Sequence, residues 1–230
     1  MHFSVVKLDS SAIQTACQRG LAWSSQTLED GVSMNLRWFL AISILFIANA
    51  HAVPPRAVDA EQFDIAGVRL GMSPQAAVAA ISTKLGVDRR VIEFDKFPQR
   101  NPVTNSKEAK YFTVRTGGAS VTVHFEPNVP YSPKNKMAVS MIIYEQPWTA
   151  ENVAAMKDMA IKKYGAPSNG TNGVSYQWCL QPHDNPGFGC SEFRGPKLEL
   201  SGTKLQIEDF RRRQAVIDFM NKSNSSRPSF

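Results

Sequence analysis

Two segments of this chain carry complete helix start and stop signals, and the sequence around them changes to a different period. Ser73 offers an N-cap hydroxyl, and Pro74 follows at the first helical position, where its missing N–H costs nothing. The segment continues as AAVAAISTKL and meets Gly86, a residue suited to the left-handed conformation that closes a helix. Ala77, Val78, Ile81 and Leu85 fall on one face. The second segment opens at Thr149, reads AENVAAMKDMAIKKY, and stops at Gly165 with Pro167 just beyond. Its stripe of Val153, Met156, Ala160 and Tyr164 reads as core packing.

Elsewhere apolar residues alternate at period two. Residues 111–115 and 120–125 flank Gly117-Gly118 as a hairpin, and residues 137–145 follow as a third strand. Residues 91–97 are expected as a further strand behind the first helix, and residues 64–68 as a short one ahead of it. After the second helix, residues 174–180 read as a strand, and residues 197–200 with 204–207 as a hairpin around Ser201-Gly202. Residues 212–220 are expected as a terminal helix with Val216, Phe219 and Met220 inward. This order predicts an α+β fold of two similar units, each a helix packed on an antiparallel sheet. The units span about 62–147 and 148–210 within a domain at 53–220, and residues 221–230 are expected as a disordered tail.

Residues 38–48 read WFLAISILFIA, an apolar run too short for a membrane span and suited to the core of an export signal. Arg37 precedes the run, and Ala50-His51-Ala52 follows as an A-x-A cleavage site with Val53 as the first mature residue. Residues 34–52 are therefore read as a signal peptide. Residues 1–33 sum to −1, the wrong sign for the segment ahead of an export signal, so translation is expected to start at Met34. The destination is periplasmic or secreted, and membrane contact is expected only through the signal peptide before cleavage.

Removing residues 1–52 takes away three basic and three acidic residues, so the remainder keeps the net charge of +6. That balance suits anionic partners, but the basic residues are scattered; only Arg211-Arg212-Arg213 forms a run. No stripe of basic and aromatic residues points to nucleic acid, which is not expected as a partner. Cys179 and Cys190 close a short loop, CLQPHDNPGFGC, and in an oxidising compartment they are expected to pair as a disulfide. A metal site built from Cys179, His183, Asp184 and Cys190 has no common zinc spacing, so neither metal nor cofactor is expected.

No catalytic constellation is legible. His124 alternates with Val123 and Phe125 and reads as a solvent-facing strand residue. Glu93 and Asp95 would share a strand face, a pattern that a solvated surface also produces. There is no nucleophile elbow, P-loop, dinucleotide fingerprint or H-E-x-x-H. Trp148, Tyr176 and Trp178, if exposed together, would anchor a peptide or glycan; buried, they are core. His183 and Phe188 stand in the cysteine loop, whose segment DNPGF is expected to be a preorganised contact surface.

At Gly67-Val68-Arg69-Leu70-Gly71-Met72-Ser73 and at Lys163-Tyr164-Gly165-Ala166-Pro167-Ser168 the chain resembles small outer-membrane assembly lipoproteins of the SmpA/BamE type. Its doubled helix-on-sheet pattern resembles the beta-lactamase inhibitory proteins. The resemblance covers about a fifth of the mature chain and implies a periplasmic or secreted module that binds another protein and does not turn over a substrate. It carries over no functional residue. No Cys follows the apolar run as a lipid anchor would require, so a soluble product is expected. The function expected from the whole is an exported binding module for an unknown protein or cell-envelope component, more a binder than an enzyme. The alternative is a small extracytoplasmic hydrolase or ligand carrier that uses His183 within the Cys179–Cys190 loop. N-terminal sequencing of the exported protein is expected to begin at Val53. Peptides from residues 1–33 should be missing by mass spectrometry, and their recovery overturns the Met34 start.

Overall fold

The computed structural model describes residues 56–171, 173–185 and 187–224, so the expected signal peptide and cleavage site at Ala50, Ala52 and Val53 lie outside the described residues. The architecture is α+β, with three helices and a large antiparallel sheet. A single 3-10 turn at Ala60–Gln62 leads into a two-residue hairpin, β1 (Asp64–Ile65) and β2 (Val68–Arg69), which turns through Ala66 and Gly67 at positive φ. Here the expected single strand at 64–68 is corrected: Asp64 accepts the Gly67 N–H at 2.9 Å, an Asx-type turn that folds the segment back on itself.

Helix α1 (Pro74–Leu85) begins as its signals predict, with the Ser73 hydroxyl accepting the Ala76 N–H at 3.2 Å, and ends on Gly86 in the left-handed region. Ala77 and Ile81 are fully buried, with Val78 and Leu85 packed beside them. Helix α2 (Ala150–Tyr164) is capped by Thr149, whose hydroxyl accepts the Asn152 N–H at 3.1 Å, and buries Met156, Ala160 and Tyr164. Helix α3 (Phe210–Asn224) starts earlier and runs four residues beyond the expected end at Met220, so residues 221–224 of the expected tail are helical; residues 225–230 lie outside the described residues.

Eight strands form one sheet: β3 (Glu93–Phe94), β4 (Tyr111–Thr116), β5 (Ala119–Pro127), β6 (Met137–Glu145), β7 (Asn169–Thr171), β8 (Ser175–Cys179), β9 (Pro196–Ser201) and β10 (Lys204–Asp209). Their spatial order is β3-β4-β5-β6-β10-β9-β8-β7, antiparallel throughout. Gly117 and Gly118 turn the β4–β5 hairpin at φ 57° and 79°, the pair of positive values that a two-residue hairpin turn demands. The strand expected at 91–97 shrinks to two residues. Arg89–Val91 forms a 3-10 turn capped by the Asp88 carboxylate, and Asp95 turns inward to accept the Phe97 N–H. The edge strand β7 was not anticipated, since Asn169-Gly170-Thr171 carries no apolar alternation.

One row of side chains crosses seven of the eight strands, all but β7, on the helix-covered face: Trp178, Leu198, Ile207, Ile142, Val123, Phe112 and Phe94, each opposite the next. The first six have essentially no solvent exposure, whereas Phe94, on the edge strand, remains partly exposed. Trp178 packs edge-on to Tyr164 and donates its indole N–H to the Gly165 carbonyl at 3.0 Å, which ties the end of α2 to this row. Tyr164 in turn donates to the Asp64 carbonyl at 2.8 Å, fastening the β1–β2 hairpin over the core. Replacing Ile142 by Ala should lower unfolding free energy by about 2–5 kcal/mol. The neighbouring Ile143→Ala, on the opposite face, should cost about 1 kcal/mol or less, as urea titrations of the two variants will show.

Candidate functional site

Strand periodicity that buries one row necessarily turns the next row outward. The outer face carries Gln177, Glu199, Gln206, Ile143, Thr122, Thr113 and Glu93 in register across all the strands from β8 to β3. These side chains are half-buried apart from the exposed Glu93. Thr113 and Thr122 share a hydrogen bond at 3.1 Å, and Glu93 pairs with Arg115 at 2.6 Å. The row offers two amides (Gln177, Gln206), two hydroxyls (Thr122, Thr113) and two carboxylates (Glu199, Glu93) around one apolar residue, Ile143.

Two structures border this face. Helix α3 packs over β5 and β6. Asp209 accepts the Arg211 backbone N–H at 3.1 Å and grips the Arg211 guanidinium at 2.8 and 3.1 Å, while the same guanidinium reaches Glu61 at 3.4 Å. Arg213 lies 3.8 Å from Glu126, and Lys197 sits over the Phe210 ring while pairing with Glu208 at 3.7 Å. Burial raises the Glu126 and Glu208 carboxyls above their ordinary values, outweighing the pull of Arg213 on both. His124 points out from the core as its alternation predicts. It is half-buried rather than open to solvent, and burial together with Arg213 lowers its pKa.

The other border is the cysteine loop. Cys179 and Cys190 are joined, with sulfurs 1.99 Å apart. Cys179 faces outward beside Lys197, and the Cys190 N–H donates to the outward Gln177 side chain at 2.6 Å, so the loop leans on the outer face. Gly189 makes this approach possible, since a Cβ there would collide with the Gln177 amide. Inside the loop, His183 stacks on Phe188 with ring centres 4.8 Å apart, and its Nδ1 accepts the Asn185 N–H at 2.9 Å. Asn169 of β7 donates to the His183 carbonyl at 2.6 Å and accepts the Gly187 N–H at 3.3 Å. Phe188 is 61% exposed despite this scaffolding, so the loop holds an aromatic ring out to solvent.

The aromatic residues expected near the second helix do not form one surface. Trp178 has no accessible area and is a core residue, because Cys179 rather than Trp178 occupies the outward phase of β8. Tyr176 lies on the covered face opposite Leu200, with the Lys157 ammonium 5.5 Å from its ring centre. Trp148 is 78% exposed, at the far end of the sheet against the β9–β10 turn, where a Cβ on Gly202 would sit 3.6 Å from its indole nitrogen. The expected Glu93–Asp95 pair is likewise separated by function: Glu93 binds Arg115, and Asp95 caps a turn through the Phe97 and Lys110 N–H groups. Part of the polar outer row, Glu199 and Gln206, is contained in the alternation of residues 197–200 and 204–207.

Among the described residues, no group of three His, Cys, Asp or Glu stands close enough to hold a metal ion. No helix among them is long and apolar enough to cross a membrane. Replacing both cysteines by alanine should cost about 3 kcal/mol through loop-closure entropy. Hydrogen exchange of the amides at 183–190 should accelerate in that variant, while those of β5 and β6 stay protected. No protein-family model, no curated protein and no solved structure matches this chain.

Proposed function

We propose that this chain is an exported, soluble binding module that grips a protein or cell-envelope component with the outer face of its sheet. The observation that carries this reading is the asymmetry of that sheet. One face is covered by α1, α2 and the β1–β2 hairpin, whereas the other presents a row of mostly polar side chains around Ile143, bordered by α3 and by the loop bearing Phe188. A preorganised surface of amides, hydroxyls and carboxylates around a central Ile143 loses little conformational entropy on contact. The disulfide supports an oxidising destination, periplasmic or extracellular. His183 supports a structural role in this reading, since its Nδ1 already accepts a backbone N–H and its ring stacks on Phe188.

The same reading includes two similar units, about 62–147 and 148–210. Each contains a helix followed by four strands, the first unit's helix preceded by the β1–β2 hairpin, and the two sets meet at β6 and β10 with their order reversed. Both helices begin on a hydroxyl cap and end on a glycine with positive φ. This arrangement supports kinship of design with the envelope modules and inhibitory proteins that the sequence resembles.

The test is capture from envelope extract by tagged protein, followed by mass spectrometry, with two variants alongside. Ile143→Arg should abolish retention of the captured component, and His183→Ala should leave it unchanged. If retention ignores Ile143→Arg, the outer face is not the binding surface. If His183→Ala instead removes a measurable turnover, the chain is a hydrolase.

A further inference from the structure

The two helices on the covered face do not close over it completely. Helix α1 packs on β2 and β6 and helix α2 on β9, which leaves a cleft above the line where β6 meets β10. The cleft has a volume of about 250 Å³. Its floor is Tyr144 and Leu205, which face each other across the β6–β10 ladder. Leu85 of α1 forms one wall, and Met156, Met159, Ala160 and Lys163 form the other. Those four positions follow a single stripe of α2, so the slot extends roughly 10 Å along the helix. That lies just below the roughly 300–1,000 Å³ of ordinary small-molecule pockets, and with a length of roughly 10 Å it leaves room for one short chain. Methionine walls, flexible and polarizable, adapt to such a chain.

The ends of the slot differ chemically. Toward Tyr144, Leu205 and Met156 it is apolar. At the other end, beside the β1–β2 hairpin, stand Lys84 and Lys163. The Lys163 ammonium donates to the Asp64 carboxylate at 2.9 Å and to the Asp64 carbonyl at 2.8 Å, so that pair is internally neutral. Burial works to raise the Asp64 carboxyl, but Lys163, the Gly67 N–H and, by charge alone, Lys84 outweigh it and hold the group below its ordinary value. Lys84 is exposed, within electrostatic reach of Asp64 but outside ion-pair contact among the described residues, so two lysines face one carboxylate. Its Cβ lies against Gly67, where an added side-chain carbon would come within 3.3 Å, so a glycine there lets the lysine stem lie close to the hairpin. One positive charge therefore remains at the mouth of an otherwise apolar slot.

We propose that this cleft binds a single-chain anionic amphiphile of the fatty-acid class. The tail runs over Tyr144 and Leu205 between Leu85 and the two methionines, and the carboxylate sits at Lys84. The site lies on the opposite side of the sheet from the surface assigned to a macromolecular partner, so neither assignment depends on the other.

Decanoate and decanol titrated into the purified protein, read by the methyl resonances of Met156 and Met159, test the assignment. Decanoate should saturate these shifts below about 1 mM. Lys84→Glu, an exposed helix position, should weaken decanoate by about fivefold or more while leaving decanol unchanged. Met159→Trp, also at an exposed position, should weaken both by filling the slot. The proposal is overturned by absence of saturable shifts at these methyls, by decanoate affinity that ignores Lys84→Glu, or by affinity for either ligand that ignores Met159→Trp.

Discussion

The fold depends on one line of buried side chains, from Trp178 through Leu198, Ile207, Ile142 and Val123 to Phe112. Because each residue sits directly opposite the next, the line crosses six strands and makes them a single buried surface. The packing of α2 follows from it, since Tyr164 and the Gly165 carbonyl both contact Trp178. So does the seating of the β1–β2 hairpin, which hangs from Tyr164 and Lys163. A slip of one residue in any central strand would expose this line and bury the polar row behind it. The pairing register and the polarity of the outer face are thus one constraint seen from two sides.

Much of this was legible before any coordinates. The helices were readable because their ends are marked chemically, by Ser73 and Thr149 at the start and by Gly86 and Gly165 at the stop. The long strands were readable because β5 and β6 alternate or run apolar over nine residues each. What escaped was short or held by tertiary contacts. Strand β7 exists through its pairing with β8 and through the reach of Asn169 into the cysteine loop, and three residues contain no periodicity to detect. The 91–97 strand was overread because its apolar residues alternate; capping by Asp88 and Asp95 bends the backbone away before the ladder can extend.

The candidate surfaces were less legible than the fold, for a physical reason. Whether Trp148, Tyr176 and Trp178 form a patch depends on the phase of one strand and the position of one turn, and composition is silent on both. The interhelical cleft is further removed from sequence. It arises from the gap between α1 and α2, which their individual stripes of Ala, Val, Ile and Met do not specify. The cysteine loop stands between these cases. Its covalent closure was readable from two residues and a spacing, but its scaffold of Asn169, Gln177 and Gly189 was not.

The two outermost strands have a consequence for how this molecule behaves among its own copies. A sheet of eight strands would present long unpaired ladders if its borders were full length, and such borders invite other chains to add to them. Here β3 is two residues long and β7 three, and each runs directly into a turn. The next strand inward is therefore only partly shielded, but among the described residues only a few unpaired backbone positions are left at either side. A broad sheet can then leave one face uncovered by α1 and α2 while its short borders limit edge-to-edge growth.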